Sequence, residues 1–448
     1  MSAAIAAANP PFHVERQLTH AAQGHVLTNV NVWSPDGAWL VYDTRTDGFD
    51  GVFIERVRLT TGEVQRLYTS RQGAHCGVVT YSPTAERVVF IHGPEQPTAD
   101  WSYGFSRRRG ALVEVDRPGV SRSLDAMTYA PPFVAGALRG GSHVHVFSPD
   151  GQWVSFTYED DVLAQLDAAP DSPAHEPNQR NVGVAVPAGP VRVPASHPRN
   201  HDGDWFSVVV TRTVAEPQPG SDEISKAFEE GWVGHDGYER ADGQRQARAL
   251  AFQGLVTAAD GQTHAEVFIV DLPAELTRAG AAPLQGSATT RPAPPRGVSQ
   301  RRLTFTSERR HRGVAAVPRH WLRVSPDGAA IAFLMRDDAG EAQLWTVSPR
   351  GGAPRQVTRN SQGVASAFTW SPDGRRIAHV MDGSVCVTDV ASGGTRRLTE
   401  RAAGDRVPSA EACVFSPDGR TIAFTRVVDG FQQIFVVAAG GESNANSM

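Results

Sequence analysis

A Ser-Pro-Asp-Gly tetrad occurs five times in this chain of 448 residues, at Ser34–Gly37, Ser148–Gly151, Ser325–Gly328, Ser371–Gly374 and Ser416–Gly419. A degenerate copy lies in "YSPTAERVVF", residues 81–90. The last three intact copies begin 46 and 45 residues apart, and the first precedes the degenerate one by 48. Proline presets φ at the first central position of a turn, and Asp-Gly accepts the tight reversal that follows. "FTWSPDGRRIAHVM" and "CVFSPDGRTIAFTR" therefore read as strand, turn, strand. A third strand follows in "QLWTVSP", "SVCVTDV" and "QIFVVAA", and a short fourth at residues 355–358 and 396–399. Four short strands repeating every ~45 residues predict the blade of a β-propeller.

The expected fold is all-β: a seven-bladed β-propeller of four-stranded antiparallel blades, one domain over residues 13–440. Blades one to three fall at 27–68, 74–126 and 140–194, and blades five to seven at 316–358, 362–399 and 408–440. Residues 195–306 lack a tetrad but hold the strand-like runs "DWFSVVVTRT", "ARALAFQGLV", "AEVFIVDL" and "QRRLTFT", which make one enlarged blade four. Two insertions interrupt that blade. Residues 214–247 include "GSDEISKAFEEGWVG", where Ser221 is placed to cap a short amphipathic helix. Residues 275–299, rich in Ala, Pro and Gly, read as a loop, and an insertion of this kind can lid one mouth of the channel. Blade seven lacks an outer strand, whereas "HVERQLT" (13–19) is a spare one, so the N-terminal strand closes the ring and removes the open edges. Residues 1–12 and 441–448 read as disordered tails.

With 43 basic and 48 acidic residues the net charge is −5, which argues against a general nucleic-acid surface. Cys76, Cys386 and Cys413 are scattered and odd in number, so no disulfide framework or CxxC site is visible. The N-terminal residues lack a signal peptide's basic and apolar regions. No run of 18 apolar residues offers a membrane span. The expected location is cytoplasmic.

The tetrad serves as a ruler for the residues that the repeat does not need. Five residues before each serine, near one mouth of the channel, stand Asn29, Gly77, His143, His320, Ser366 and Glu411. His75 precedes Gly77 by two, and "HPRNHDGDW" supplies His197 and His201 before blade four. Strand side chains alternate, so His143 and His145 are expected on one side, within reach of one divalent ion. Imidazole suits Zn, Mn, Fe and Ni, and His75, His320 and Glu411 are candidates to complete the shell. Arg139, Arg199 and Arg319 each lie within four residues of a candidate histidine and offer bidentate partners for an anion. "DWSYGFSRRRG" (100–110) joins aromatic and basic residues. Each has a structural alternative: a channel histidine bonds a neighbouring backbone, an arginine bridges two blades, and the basic run is an exposed hairpin.

The repeat resembles the TolB-like, PD40-type propeller family over nearly the whole chain. The sequence is closer to a bacterial branch of it whose resemblance implies a fold and no particular activity. More distantly, HxH ahead of SPDG resembles the oligogalacturonate lyases, propellers of the same class. In that family histidines hold a divalent metal, typically manganese, which binds substrate carboxylates while a basic residue removes an α-proton. The resemblance implies metal ligands at His143, His145 and His320, with Mn first and Zn, Fe, Ni or Ca as alternatives. The family's glutamine ligand and proton-abstracting residue have no clear counterpart here. His75 and Arg319 are the candidates for the proton transfer, and Arg139, Arg199, His201 and Glu411 for binding an anionic oligosaccharide or other small anion. Two further classes stay open, since fold does not fix function: a protein-interaction propeller, and a sugar-binding propeller without turnover.

Overall fold

The computed structural model of the protein describes residues 12–46, 48–411 and 413–440, so the expected tails fall outside the described residues except for Phe12. The chain forms a seven-bladed β-propeller of small antiparallel blades. Each tetrad closes the hairpin between a blade's innermost and second strands. In blade five, Ser325 Oγ donates to Asp327 Oδ1 at 2.5 Å, and Asp327 Oδ1 accepts from Ala329 N at 3.0 Å. Ser325 Oγ in turn accepts from Ala330 N at 3.0 Å. The Ser325 hydroxyl holds the Asp327 carboxyl below its usual range, as the equivalent hydroxyls do for Asp36 and Asp418. The turn is thus locked by one carboxylate and one hydroxyl.

The fourth residue of the tetrad is glycine because φ is positive there, +74° at Gly328 and +69° at Gly374. The two sites differ in space. A Cβ on Gly374 would meet only Pro326 Cδ at 3.5 Å, whereas one on Gly328 would lie 2.0 Å from the Gly237 carbonyl oxygen. Gly374→Ala is expected to cost about 1–2 kcal/mol from backbone strain alone. Gly328→Ala adds a backbone clash and lowers the thermal midpoint clearly further. Equal midpoints for the two variants in a thermal melt would contradict this packing.

The core is not a central droplet but a set of layers between blades. One apolar cluster lies at each of the seven blade interfaces, from the layer joining blades one and two (Val41, Ile54, Val88, Phe90) to the one joining seven and one (Trp33, Leu40, Ile434, Val436). Both faces of a middle strand are therefore buried, which explains uniformly buried runs such as Trp39–Asp43 and Ala342–Val347. The ring closes as expected: Arg16–Gln17 pairs antiparallel with Phe431–Ala438, with Arg16 opposite Val436, and completes blade seven. Blade one is the least regular, its innermost strand reduced to single bridges at Val26 and Trp33.

The region without a tetrad departs from the expected layout. Phe206–Val209, inside "DWFSVVVTRT", is the outer strand of blade three, not part of blade four. The expected helix after Ser221 is instead Ile224–Trp232, the innermost strand of blade four, paired with Arg248–Thr257. Ile224 and Ala227 are buried within the blade layers, and pairing with a long neighbour outweighs local helix propensity. A helix does occur elsewhere, at Asp161–Ala168 in blade three, where Asp160 Oδ1 caps Leu163 N at 3.0 Å. The Ala/Pro/Gly-rich segment is a loop joining the third and fourth strands of blade four. It is fastened to blade three, where Arg139 donates to the Thr290 carbonyl at 3.0 Å and to that of Ser287. Residues 275–299 are not among those that line either mouth cavity, whereas residues of the 214–247 segment line both.

Candidate active site at the basic mouth

The tetrad turns ring one mouth of the channel. The opposite mouth opens into a cavity of about 640 Å³ whose lining is unusually basic. Arg45, Arg108, Arg180, Lys226 and Arg319 line it, with Glu229 as the single carboxylate among the lining residues. They come from blades one to five in order. Arg45 follows strand Trp39–Asp43, Arg108 and Arg180 precede strands Arg109–Glu114 and Asn181–Val186, Lys226 lies on Ile224–Trp232, and Arg319 precedes Arg323–Val324.

The five cations are not equivalent. Arg45 is gripped by buried Asp43, at 2.5 Å from Nε and 3.2 Å from Nη2. Arg180 is paired with Glu159 at 2.7 Å, and Arg319 with Glu229 at 2.8 Å. Arg108 is 7% exposed and has no carboxylate within ion-pairing distance among the described residues. Its Nη1 donates to the Tyr103 hydroxyl at 2.6 Å, and its Nε has no partner. Lys226 makes no ion pair among the described residues and rests over the Phe228 ring at 4.5 Å. Burial, then the Arg180 charge, lowers its pKa below the usual lysine range. A buried guanidinium cannot shed its proton, so an uncompensated one costs several kcal/mol unless an anion joins it.

His143 faces this cavity. Burial first, then the Arg108 and Arg180 charges, hold its pKa well below the ordinary value, so the imidazole is neutral at pH 7. Its Nδ1 has no hydrogen-bond partner among the described residues. The expectation that His145 shares its side does not hold. Val144 adopts φ +56° and the pairing with Val154–Asp160 slips between His143 and Val146. This β-bulge breaks the strand alternation. His145 turns into the blade-two/blade-three interface, where its Nε2 meets Ser142 Oγ at 3.0 Å and lies 3.7 Å from Asp125. The same left-handed bulge occurs at Val78 in blade two, whose N–H donates to Asp43 at 2.6 Å. A β-branched residue at positive φ is strained, and strain of this kind gathers at functional sites.

His320 lines the cavity but both ring nitrogens serve the backbone: Nδ1–H donates to the Pro318 carbonyl at 2.9 Å, and Nε2 accepts from Leu334 N at 3.1 Å. It is a buried structural histidine. His143, His145 and His320 therefore do not fit a shared metal shell, and no three His, Cys, Asp or Glu side chains are so grouped among the described residues. His75 is not among the lining residues. Arg139 is fully buried and paired with Asp160 at 2.6 Å, so it is a structural anchor and not a substrate ligand. Arg199 donates to the carbonyls of Glu95 and Gln96 at 2.6 and 3.0 Å, and His201 bonds the Asp202 carbonyl at 3.1 Å, both away from the cavity. Glu411 is exposed and is not among the residues that line the cavity, although its charge is felt at Arg45. Of the residues singled out in the sequence, His143, His320, Arg319, Phe105 and Arg108 line the mouth. Arg45, Arg180 and Lys226 escaped notice because each stands alone in an unremarkable segment, whereas Arg108 lies in the aromatic–basic run at 100–110.

Below the mouth, Glu230 is buried with one oxygen bound to Thr157 Oγ1 at 3.0 Å and the other without a partner. Burial raises its pKa from 4.5 to about 7. The folded state thus holds a proton that the unfolded chain loses above pH 4.5. Stability is full below that pH and falls as pH rises towards 7. Glu230→Gln is expected to match the parent near pH 4 and to be roughly 2–3 kcal/mol more stable at pH 8. Urea unfolding at both pH values checks this, and a variant less stable at pH 8 would contradict it.

Comparison with known proteins adds the following. A family described as a protein of unknown function (DUF3748) matches residues 75–201. The uncharacterized protein YidR of Escherichia coli (strain K12) is 50% identical over 425 residues, 93% of this chain and 97% of YidR. An oligogalacturonate lyase in complex with manganese superposes over 97% of this chain and 95% of its own, with TM-score 0.54 and 13% identity. An oligogalacturonate lyase from Vibrio parahaemolyticus covers 95% and 93%, with TM-score 0.53 and 10% identity. At those identities the two lyases speak for the propeller fold alone. Among the described residues no helix is long and apolar enough to cross a membrane.

Proposed function

The chain belongs to the family of Escherichia coli YidR, and on that premise we propose that its basic mouth binds an anionic oligosaccharide of the uronide class and cleaves it by β-elimination. One observation carries the reading. A neutral, buried imidazole, His143, and a buried guanidinium without a carboxylate partner, Arg108, line the same cavity. An anion supplies the missing charge and, by offsetting the Arg108 and Arg180 charges, restores basicity to His143, which is then placed to remove the proton α to the bound carboxylate.

In this reading Arg108 and Lys226 take the substrate carboxylate, while Arg45 and Arg319, already paired with Asp43 and Glu229, set the positive field around it. Charge builds on the carboxylate as the α C–H bond breaks, and fixed cations in a desolvated site stabilise that charge. His143 accepts the proton. The electron pair left on carbon forms the new C=C bond and expels the glycosidic oxygen from the adjacent carbon. That oxygen takes a proton from Lys226, whose ammonium burial and the Arg180 charge make more acidic than an ordinary lysine. The metal shell implied by the lyase resemblance does not match the donor atoms present, so every step is assigned to this chain's own groups.

The test is to incubate the purified protein with di- and trigalacturonate and follow the ultraviolet absorbance of the conjugated, unsaturated uronide. Growth of that absorbance supports the reading. Saturable binding without product would reduce the site to a uronide receptor, and neither binding nor product would remove the reading.

A further inference from the structure

The tetrad mouth leads to a second cavity, of about 560 Å³, lined by residues from all seven blades and distinct from the basic one. Six aromatic residues line it beside six prolines, and its two carboxylates are Asp236 and Asp150, the latter paired with Arg248. Trp33, Trp232 and Trp370 stand around the cavity, each with its indole N–H donated to a neighbouring blade: to the carbonyls of Val414 at 3.2 Å, Val146 at 3.0 Å and Arg323 at 3.0 Å. With their one polar group used, the indoles offer the cavity only hydrocarbon surface, and their orientation is fixed.

Arg323 also lines this cavity and is only 8% exposed. Two arms of its guanidinium are tethered: Nη2 donates to the Asn29 carbonyl and Oδ1, both at 3.1 Å, and Nη1 donates to the Leu322 carbonyl at 3.3 Å. Its Nε has no partner among the described residues. No carboxylate lies within ion-pairing distance among the described residues. The closest in electrostatic effect is Glu230, whose raised pKa leaves it partly protonated near neutrality. All of Arg323's direct partners are neutral, so the charge itself is unmatched. A buried, immobilised cation that shares a cavity with three indole faces suits a molecule with one negative end and an apolar body.

From this juxtaposition we propose that the tetrad mouth is a second binding site, for a small organic carboxylate with an aromatic or aliphatic body, its carboxylate on Arg323 and its body against Trp33, Trp232 and Trp370. The site is separate from the basic mouth and does not depend on the elimination reading.

The probe is 2-naphthoate, with 2-naphthamide as its neutral counterpart of similar shape. Titration of the full-length protein is expected to show one saturable naphthoate site that quenches tryptophan fluorescence, with naphthamide at least tenfold weaker. Arg323→Gln is expected to lose naphthoate binding at least tenfold, whereas Arg108→Met retains it. Equal binding of naphthoate and naphthamide to the parent protein overturns the proposal without recourse to any variant, should Arg323→Gln fail to fold. Loss of naphthoate binding in Arg108→Met with retention in Arg323→Gln also overturns it, because the probe then occupies the basic mouth. Absence of naphthoate binding overturns it as well.

Discussion

His143→Gln is expected to lower the rate of uronide elimination by about two to four orders of magnitude, the usual weight of a positioned general base. Glutamine keeps the polarity and approximate size of imidazole but accepts no proton near pH 7. Because His143 sits on the bulged strand and makes no side-chain hydrogen bond through Nδ1, the substitution leaves the blade intact. The loss falls on kcat, and digalacturonate still binds, since the cations that hold it are untouched. The corresponding His145→Gln is expected to act differently. His145 is tied to Ser142 in a layer between two blades that also holds Asp125. Its replacement lowers the melting temperature, and the catalytic constant of the folded fraction stays near that of the parent. A kcat loss of equal size in both variants would contradict the division that the bulge makes between them.

Arg108→Met has the second large effect, and it runs in two directions. Without ligand, the change removes a buried charge that no carboxylate offsets and replaces it with an apolar side chain of similar length, which is neutral or stabilising in such sites. The ligand-free melting temperature is expected to hold or rise. With ligand, the same change removes the cation that receives the substrate carboxylate, so the affinity for digalacturonate falls by a factor of about 30 or more, a loss of 2 kcal/mol or above. Differential scanning fluorimetry with and without digalacturonate reads both effects at once. A variant that melts lower in the absence of ligand would place Arg108 among the structural arginines, beside Arg139.

The fold was legible because its information is local and repeated. The tetrads name the turn between the first two strands of five blades, and "HVERQLT" names the strand that closes the ring. The region without a tetrad was harder. Ile224–Trp232 has the composition of a short capped helix, and only its pairing with the ten-residue strand Arg248–Thr257 makes it a strand. The candidate site was half legible, for a definable reason. Counting back from the tetrad reached His143 and His320 at the right mouth, since the register of the inner strands is regular to that depth. It failed at His145 because a bulge at Val144, which no residue type announces, reverses the side chain. It failed for Arg139 and Arg199 because proximity in sequence to a histidine does not decide which way an arginine leaves a loop. The charges that define the mouth are scattered singly over five blades. Only closure of the ring brings Arg45, Arg108, Arg180, Lys226 and Arg319 around one cavity.

The central claim is that this mouth recognises carboxylate charge, and calorimetric titration with digalacturonate and its dimethyl ester tests it most directly. The two ligands share size and hydroxyl pattern and differ in charge. The acid is expected to bind at one site per chain, more weakly as salt is raised, with the ester at least tenfold weaker. Equal affinity for acid and ester, or no binding of the acid to a folded protein, would contradict the account.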